Sequence, residues 1–190
     1  MDQIQEVLRE VNALQEGHFL LSSGKHSSAY VQCAQLFQYP NQAAKVMALV
    51  AEEIKDVDFD ILCGPAIGGI IASYELARQI GRPTIFTERK EGQMTLRRGF
   101  SYPEGTKILI VEDVVTTGKS SLETRDVLEE QGGDVVGIAC VVNRSGRDDV
   151  GLPLYYGTSV DAETFDADEV PDWLAEIPIT QPGSRDMKKG

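Results

Sequence analysis

The stretch that decides the fold reads KILIVEDVVTTGKS and spans residues 107–120. It opens with an apolar run, which is typical of a buried strand in a parallel sheet. The acids Glu112 and Asp113 follow, and a turn of small hydroxyl residues with Gly118 leads into a helix that we expect to end at Gly132-Gly133. The segment therefore predicts a strand, a turn and a helix, which together are the repeating unit of an α/β fold.

The same alternation continues on both sides of this segment. Apolar runs at 59–63, 83–87 and 135–142 predict further strands, and a helix is predicted over 70–80 between the first two. Because the strand positions are almost all apolar, both faces of the sheet must be covered. The fold class is therefore α/β, with a parallel sheet flanked by helices, and we expect a single domain over residues 1–190.

Other segments fall outside this alternation. An amphipathic helix is predicted from Ile4 to Leu14, and a hairpin or loop-rich hood follows at about 17–40. Residues 88–104 are charged and punctuated by glycine, which predicts a long loop that is either functional or disordered. Residues 161–190 form an acidic tail whose last residues we expect to be loose.

The composition excludes several classes of protein. The chain has 190 residues and a net charge of -12, which disfavours a nucleic-acid or anionic-membrane surface. No apolar run reaches the roughly 18 residues that span a bilayer, and the start lacks the features of a signal peptide, so we expect a cytoplasmic protein. Three scattered cysteines and two histidines predict buried thiols and no protein-bound metal site.

Residues 112–120 have the chemistry of a phosphate-sugar site. Backbone N–H groups and the helix dipole at the start of the predicted helix suit a phosphate, and the Thr116, Thr117 and Ser120 hydroxyls add donors. Glu112 and Asp113 can accept hydrogen bonds from the hydroxyls of a ribose. An acidic strand end with an ordinary helix cap is the alternative, but the full combination favours a ribose phosphate.

Two other stretches suit anions. Glycines in the turn at 64–69 let backbone N–H groups approach an anion closely, although a plain strand–helix turn remains the alternative. Arg89 and Lys90 concentrate positive charge in an acidic chain, which favours ligands of a diphosphate. A solvated charge run is an equal alternative for Arg97 and Arg98.

Residues 107–120 resemble the 5-phosphoribosyl-1-diphosphate signature of type I phosphoribosyltransferases. The likeness extends to Phe19–Tyr30, Gly64–Gly69, Arg89-Lys90 and Val142-Asn143-Arg144, which fall in the order and spacing of orotate phosphoribosyltransferases. It covers roughly residues 4–160. The resemblance implies a single-domain type I phosphoribosyltransferase fold, in which the parallel sheet carries a small N-terminal hood.

The resemblance also implies an activity. Members transfer ribose 5-phosphate from 5-phosphoribosyl 1-diphosphate to orotate, giving orotidine 5′-monophosphate and diphosphate in pyrimidine synthesis. They require Mg²⁺ and usually work as homodimers. A phosphoribosyltransferase for a purine or for uracil, and a non-catalytic regulator of the same fold, are the alternatives.

Site residues carry over by position. The resemblance implies ribose-binding acids at Glu112 and Asp113, and a 5′-phosphate loop built from Val114, Val115, Thr116, Thr117, Gly118, Lys119 and Ser120. It also implies a diphosphate turn at Ala66, Ile67 and Gly68, and catalytic cations at Arg89 and Lys90 in a mobile loop.

The orotate-side residues implied are Lys25 and Arg144. A surface position for Lys25, and an ion pair of Arg144 with Asp148 or Asp149, are the alternatives. Some relatives have lysine where this chain has Ser22 and Gly68, and a smaller residue where it has Lys119.

Overall fold

The structure, a computed structural model, describes residues 2–21 and 23–182. Its helices are α1 (Gln3–Glu10), α2 (Ala34–Phe37), α3 (Pro40–Glu53), α4 (Gly68–Ile80), α5 (Lys119–Glu130) and α6 (Asp172–Ala175). Its strands are β1 (Leu14–Leu20), β2 (His26–Val31), β3 (Ile61–Pro65), β4 (Thr84–Lys90), β5 (Gln93–Leu96), β6 (Lys107–Val115), β7 (Asp134–Asn143), β8 (Leu154–Ser159), β9 (Thr164–Phe165) and β10 (Ile179–Thr180). None of these helices is long and apolar enough to cross a membrane.

The larger sheet has six strands in the order β5-β4-β3-β6-β7-β8. Its strands pair in parallel, except that β5 runs antiparallel to β4 at one edge. Successive residues of β6 point to opposite faces, so Leu109 and Val111 pack with α3 and α4 while Ile108 and Ile110 pack with Leu128 of α5. Helices cover both faces of the sheet, and the predicted α/β fold is confirmed.

A smaller sheet in the order β10-β1-β2-β9 forms the hood. β1 and β2 are an antiparallel hairpin, and β9 and β10 add one strand to each edge from the far end of the chain. The predicted acidic tail is therefore built into the hood as far as the described residues reach. The prediction that its last residues are loose falls on 183–190, which lie outside the described residues, as does Ser22.

The first helix is shorter than its apolar spacing predicts. Asp2 caps it by accepting hydrogen bonds from the N–H groups of Ile4 and Gln5, but α1 ends at Glu10. Asn12 has a φ of 56°, in the left-handed region that stops a helix. Leu14 is buried, as its spacing indicates, but as the first residue of β1.

The predicted loop at 88–104 contains a β-hairpin. β4 continues to Lys90, and β5 returns beside it with Arg89 opposite Met94. The two turn residues, Glu91 and Gly92, have φ values of 54° and 85°, the conformation that two-residue hairpins favour. Because the turn has Glu-Gly and not the usual Asn-Gly or Asp-Gly, the sequence did not predict the hairpin. Movement of this segment stays a prediction.

Candidate functional site

A cleft of about 270 Å³ opens at the carboxyl ends of β3 and β6. The chain moves from β3 to β4 on one side and from β6 to β7 on the other, so the strand order reverses between these two strands. Ligands of open α/β sheets bind at such a switch point. The cleft is lined by Ala66, Ile67, Gly68, Glu112, Asp113, Val114, Val115, Thr116, Thr117, Gly118, Lys119, Ser120 and Ser121.

Two adjacent carboxylates form the floor of this cleft. Glu112 is 8% exposed, and its Oε1 accepts a hydrogen bond from Ser121 Oγ at 3.3 Å. Asp113 Oδ1 accepts a hydrogen bond from the Val114 N–H at 3.0 Å. Each carboxylate keeps a further oxygen for a ligand, so the pair can accept hydrogen bonds from two hydroxyl groups of a sugar.

Burial changes the acidity of both groups. It raises the pKa of Glu112 to about 8, and the neighbouring Asp113 charge adds to the shift. Burial also raises the pKa of Asp113. Two desolvated acids side by side favour a partner that supplies hydrogen-bond donors or positive charge.

These shifts predict how stability depends on pH. Glu112 holds its proton more tightly in the folded protein than in the unfolded chain, so its contribution to stability is present at low pH and is lost as the pH rises through about 8. Between about pH 6 and about pH 9, we expect wild type to lose on the order of 2 kcal/mol of unfolding free energy relative to Glu112→Gln. Urea titrations at both pH values check this, and parallel pH profiles would contradict it.

The turn after β3 approaches the acids closely. A Cβ on Gly68 would lie 2.4 Å from the Asp113 carboxylate, so any side chain at this position would require that carboxylate to move. The Ala66 N–H donates to the Thr87 carbonyl at 2.7 Å and is therefore engaged within the sheet. Anion binding by this turn consequently depends on Ile67 and Gly68, at the start of α4, where N–H groups lack partners within the helix.

The loop at 116–120 joins β6 to α5. Gly118 has a φ of 74°, and a Cβ there would lie 2.8 Å from Val150 Cγ2, so both its conformation and its packing require glycine. Val115 is buried against the core, and its carbonyl accepts from the Arg144 N–H at 2.8 Å, although the residue also lines the cleft, so its part in the 5′-phosphate loop stays a prediction. Sequence reasoning missed Val150, which lies 30 residues or more beyond the loop.

The two predicted catalytic cations lie outside the lining of the cleft. Arg89 Nη2 donates to Glu123 Oε2 on α5, and Nη1 donates to the Gly92 carbonyl at 2.9 Å. Lys90 ends β4 with an exposed side chain. The structure therefore brings Arg89 next to α5, the helix that follows the loop at 116–120. The contact is made by Glu123, a residue that the sequence analysis did not single out.

Arg144 comes to the same edge of the sheet as the acids. It follows β7, and its N–H bonds to Val115 at the end of β6. Its Nε is buried without a hydrogen-bond partner within the described part of the chain, and burial lowers its pKa while the nearby Tyr30 opposes that shift. Within the described residues, neither Asp148 nor Asp149 forms an ion pair with Arg144.

The aspartates considered as partners of Arg144 are occupied elsewhere. Asp148 accepts from the Tyr156 hydroxyl at 2.9 Å, and Asp149 accepts from the Gly151 N–H at 2.7 Å. The alternative of an ion pair with either aspartate is therefore wrong.

Lys25 is held by the C-terminal part of the hood. Its Nζ lies 3.0 Å and 3.1 Å from the two carboxylate oxygens of Asp166. The structure does not bring Lys25 into the lining of the cleft. A base-reading role for Lys25 stays a prediction.

Comparisons with known proteins bear on the whole chain. Residues 32–172 match the model of the phosphoribosyl transferase domain. The chain is 49% identical over 181 residues to the orotate phosphoribosyltransferase of Caldicellulosiruptor bescii, and the match covers 95% of each chain.

Solved structures share the fold. UMP synthase of Leishmania donovani superposes with a TM-score of 0.71 at 22% identity, over 83% of this chain and 36% of that longer chain. Orotate phosphoribosyltransferase of Mycobacterium tuberculosis H37Rv in complex with 5-phospho-α-D-ribosyl 1-diphosphate superposes with a TM-score of 0.61 at 22% identity, over 83% of this chain and 89% of that one.

Proposed function

The chain belongs to the phosphoribosyl transferase family, and from that premise we propose that it transfers ribose 5-phosphate from 5-phosphoribosyl 1-diphosphate to orotate. The products are orotidine 5′-monophosphate and diphosphate, in a step of pyrimidine synthesis. The likeness to an orotate phosphoribosyltransferase along nearly the whole chain carries this conclusion. A location in the cytoplasm and the absence of nucleic-acid partners stay predictions.

The geometry of the cleft supports a role for each part of it. Glu112 and Asp113 hold the ribose hydroxyls, and the loop at 116–120 holds the 5′-phosphate at the start of α5. The turn at 66–68 faces the acids and holds the diphosphate through the N–H groups of Ile67 and Gly68. Together these parts orient the ribose carbon that loses diphosphate and gains the base nitrogen.

The donor set of the cleft fits Mg²⁺ brought by the substrate. Within the described residues, no cluster of three or more His, Cys, Asp or Glu side chains could hold a metal ion. Mg²⁺ typically keeps several waters and binds one or two carboxylates together with substrate phosphates. Glu112 and Asp113 are the carboxylates that line the cleft, and they can supply that share. When bound, the ion neutralises charge on the leaving diphosphate.

Base recognition is assigned to Arg144. Arg144 is half-buried beside Tyr30 of the hood, outside the residues that line the cleft, and its buried Nε lacks a partner in the described structure. An arginine there can bind the carboxylate of orotate through two parallel hydrogen bonds. A carboxylate is the group that distinguishes orotate from uracil, so this contact would select orotate.

The test of the proposed function is diphosphate release measured across a panel of bases. The purified chain is mixed with 5-phosphoribosyl 1-diphosphate, Mg²⁺ and one base at a time: orotate, uracil, adenine, hypoxanthine or guanine. Release that depends on orotate, with product identified as orotidine 5′-monophosphate, is the expected result. Release driven by another base would reassign the substrate, and release with none of them would remove the assignment.

We also propose that the chain forms a homodimer through one face of α4. Ile67, Ile71 and Tyr74 are 81%, 48% and 66% exposed, and their spacing places them on one side of the helix. Contiguous exposed apolar surface marks an interaction site. A second copy is the fitting occupant because members of this family usually pair.

Placing a charge on this face is expected to separate the subunits. Tyr74→Glu should convert a dimer to a monomer in sedimentation experiments, because the carboxylate would be buried without a partner in the interface. Leu49→Glu on α3, another exposed apolar position, is the matched control and should leave the dimer intact. A monomeric wild type, or a dimer that tolerates Tyr74→Glu, would rule out this face.

A further inference from the structure

Glu123 connects Arg89, which lies outside the lining of the cleft, to Lys119, which lines it. Glu123 lies on α5, five residues beyond Gly118, and its Oε2 accepts a hydrogen bond from Arg89 Nη2. Its Oε1 lies 3.9 Å from Nζ of Lys119, the first residue of the helix. One carboxylate therefore ties the hairpin that carries Arg89 to the loop assigned to the 5′-phosphate.

A buried contact beside this ion pair fixes the spacing of the two elements. Thr124 Oγ1 lies 3.0 Å from Thr87 Oγ1, and both side chains are fully buried. Thr87 precedes Arg89 by two residues on β4, so the backbones are held together whether or not the ion pair forms. Glu123 consequently controls where the Arg89 side chain points more than where the hairpin lies.

The other charged residues of the hairpin are arranged differently. Glu88 pairs with Arg97 at 3.4 Å and with Arg98 at 2.8 Å, which holds those two cations on their own segment. Lys90 forms no ion pair with the described residues. Of these cations, Arg89 is the one that the structure ties to α5.

We propose that Glu123 is a positioning residue that directs Arg89 toward the diphosphate, an inference that rests on the proposed function. Glu123 and the Gly92 carbonyl restrain the two ends of the guanidinium, and its other N–H groups remain for an anion. The charge on the diphosphate grows as it leaves, so a well-aimed Arg89 contributes more in the transition state than in substrate binding. Loss of Glu123 should therefore lower kcat more than it raises KM.

A double-mutant cycle tests this directly. Glu123→Ala should lower kcat about tenfold and change the KM for 5-phosphoribosyl 1-diphosphate less than about twofold. In the Arg89→Ala background the same substitution should have no further effect, because Glu123 acts through Arg89. Glu129→Ala removes an exposed carboxylate from the same helix, paired with Arg125, and should leave kcat unchanged.

The outcomes separate the inference from the proposed function. Losses that add in the double variant, or a fall in kcat that follows a fall in melting temperature, would show a structural role and overturn the inference. If Arg89→Ala lowers kcat and Glu123→Ala does not, Glu123 does not position Arg89. Arg89 then keeps its assignment as a diphosphate ligand. If Arg89→Ala keeps the wild-type kcat, Arg89 is not a diphosphate ligand, and the inference about Glu123 is wrong as well. If Glu123→Ala does not fold, Glu123→Gln completes the same cycle, since it keeps the shape and loses the charge.

Discussion

Glu112→Gln combined with Asp113→Asn is expected to abolish turnover while leaving the fold intact. The two acids line the cleft, and their carboxylates can accept hydrogen bonds from both ribose hydroxyls. Losing a preorganised polar contact costs on the order of a hundredfold to a thousandfold in kcat, so loss of two should exceed a thousandfold. Steady-state assays with orotate measure this directly.

Stability separates loss of function from loss of structure in this variant. Burial raises the pKa of both acids, so both hold their protons more tightly in the folded protein and stability is lost as the pH rises, and the amides should fold at least as well. Circular dichroism should show an unchanged spectrum and no fall in melting temperature. The control is Asp126→Asn with Glu129→Gln, two exposed acids on α5, which should keep full activity. Near-normal turnover in the first variant would remove the ribose-binding assignment.

The centre of the fold was predictable because its signals are local. The apolar run of β6 and the Thr117-Gly118 turn lie within one short segment, and each points to the same structure. The strand continues farther than its apolar run, to Val115, because Glu112, Val114 and Val115 keep the pairing with β7. Two charged residues inside a strand run against strand propensity, which is why the sequence ended the predicted strand early.

The hood and the hairpin depend on contacts between distant residues. Lys25 and Asp166 are 141 positions apart, and β9 and β10 each have two residues, too few for any periodicity. The Glu91-Gly92 turn adopts its conformation without the usual sequence signal. The sequence therefore predicted a hairpin or loop-rich hood, a long loop and an acidic tail, without the strands that join the tail to the hood.

The same limit applies to the site. Sequence order placed Glu112, Asp113 and the loop at 116–120 together because they are neighbours in the chain. The ion pair between Arg89 and Glu123 spans 34 positions and joins a hairpin to a helix, so the spacing of residues in the sequence does not predict it. The buried Nε of Arg144 is likewise visible only once the hood covers it.

Arg144→Ala is expected to lower kcat/KM for orotate by roughly a hundredfold or more. A charge-assisted, two-pronged contact contributes a few kcal/mol, and its loss leaves the carboxylate of orotate without its partner. Lysine cannot reproduce the planar pair of donors, so Arg144→Lys should recover only part of the loss. Arg147→Ala changes an exposed arginine on the same segment and should behave like wild type.

The choice of ligand distinguishes recognition from support of the fold. Binding of 5-phosphoribosyl 1-diphosphate, measured by calorimetry, should change little in Arg144→Ala because that ligand is assigned to the loop at 116–120 and the turn at 66–68. Turnover of uracil, which lacks the carboxylate, should also be unaffected, so the preference for orotate over uracil should collapse. Equal losses for both ligands would mean that the Arg144 side chain supports the structure of the site and does not read the base. An unchanged orotate efficiency would reject Arg144 as the residue that reads the base and return that role to the hood, where Tyr30 lies beside it.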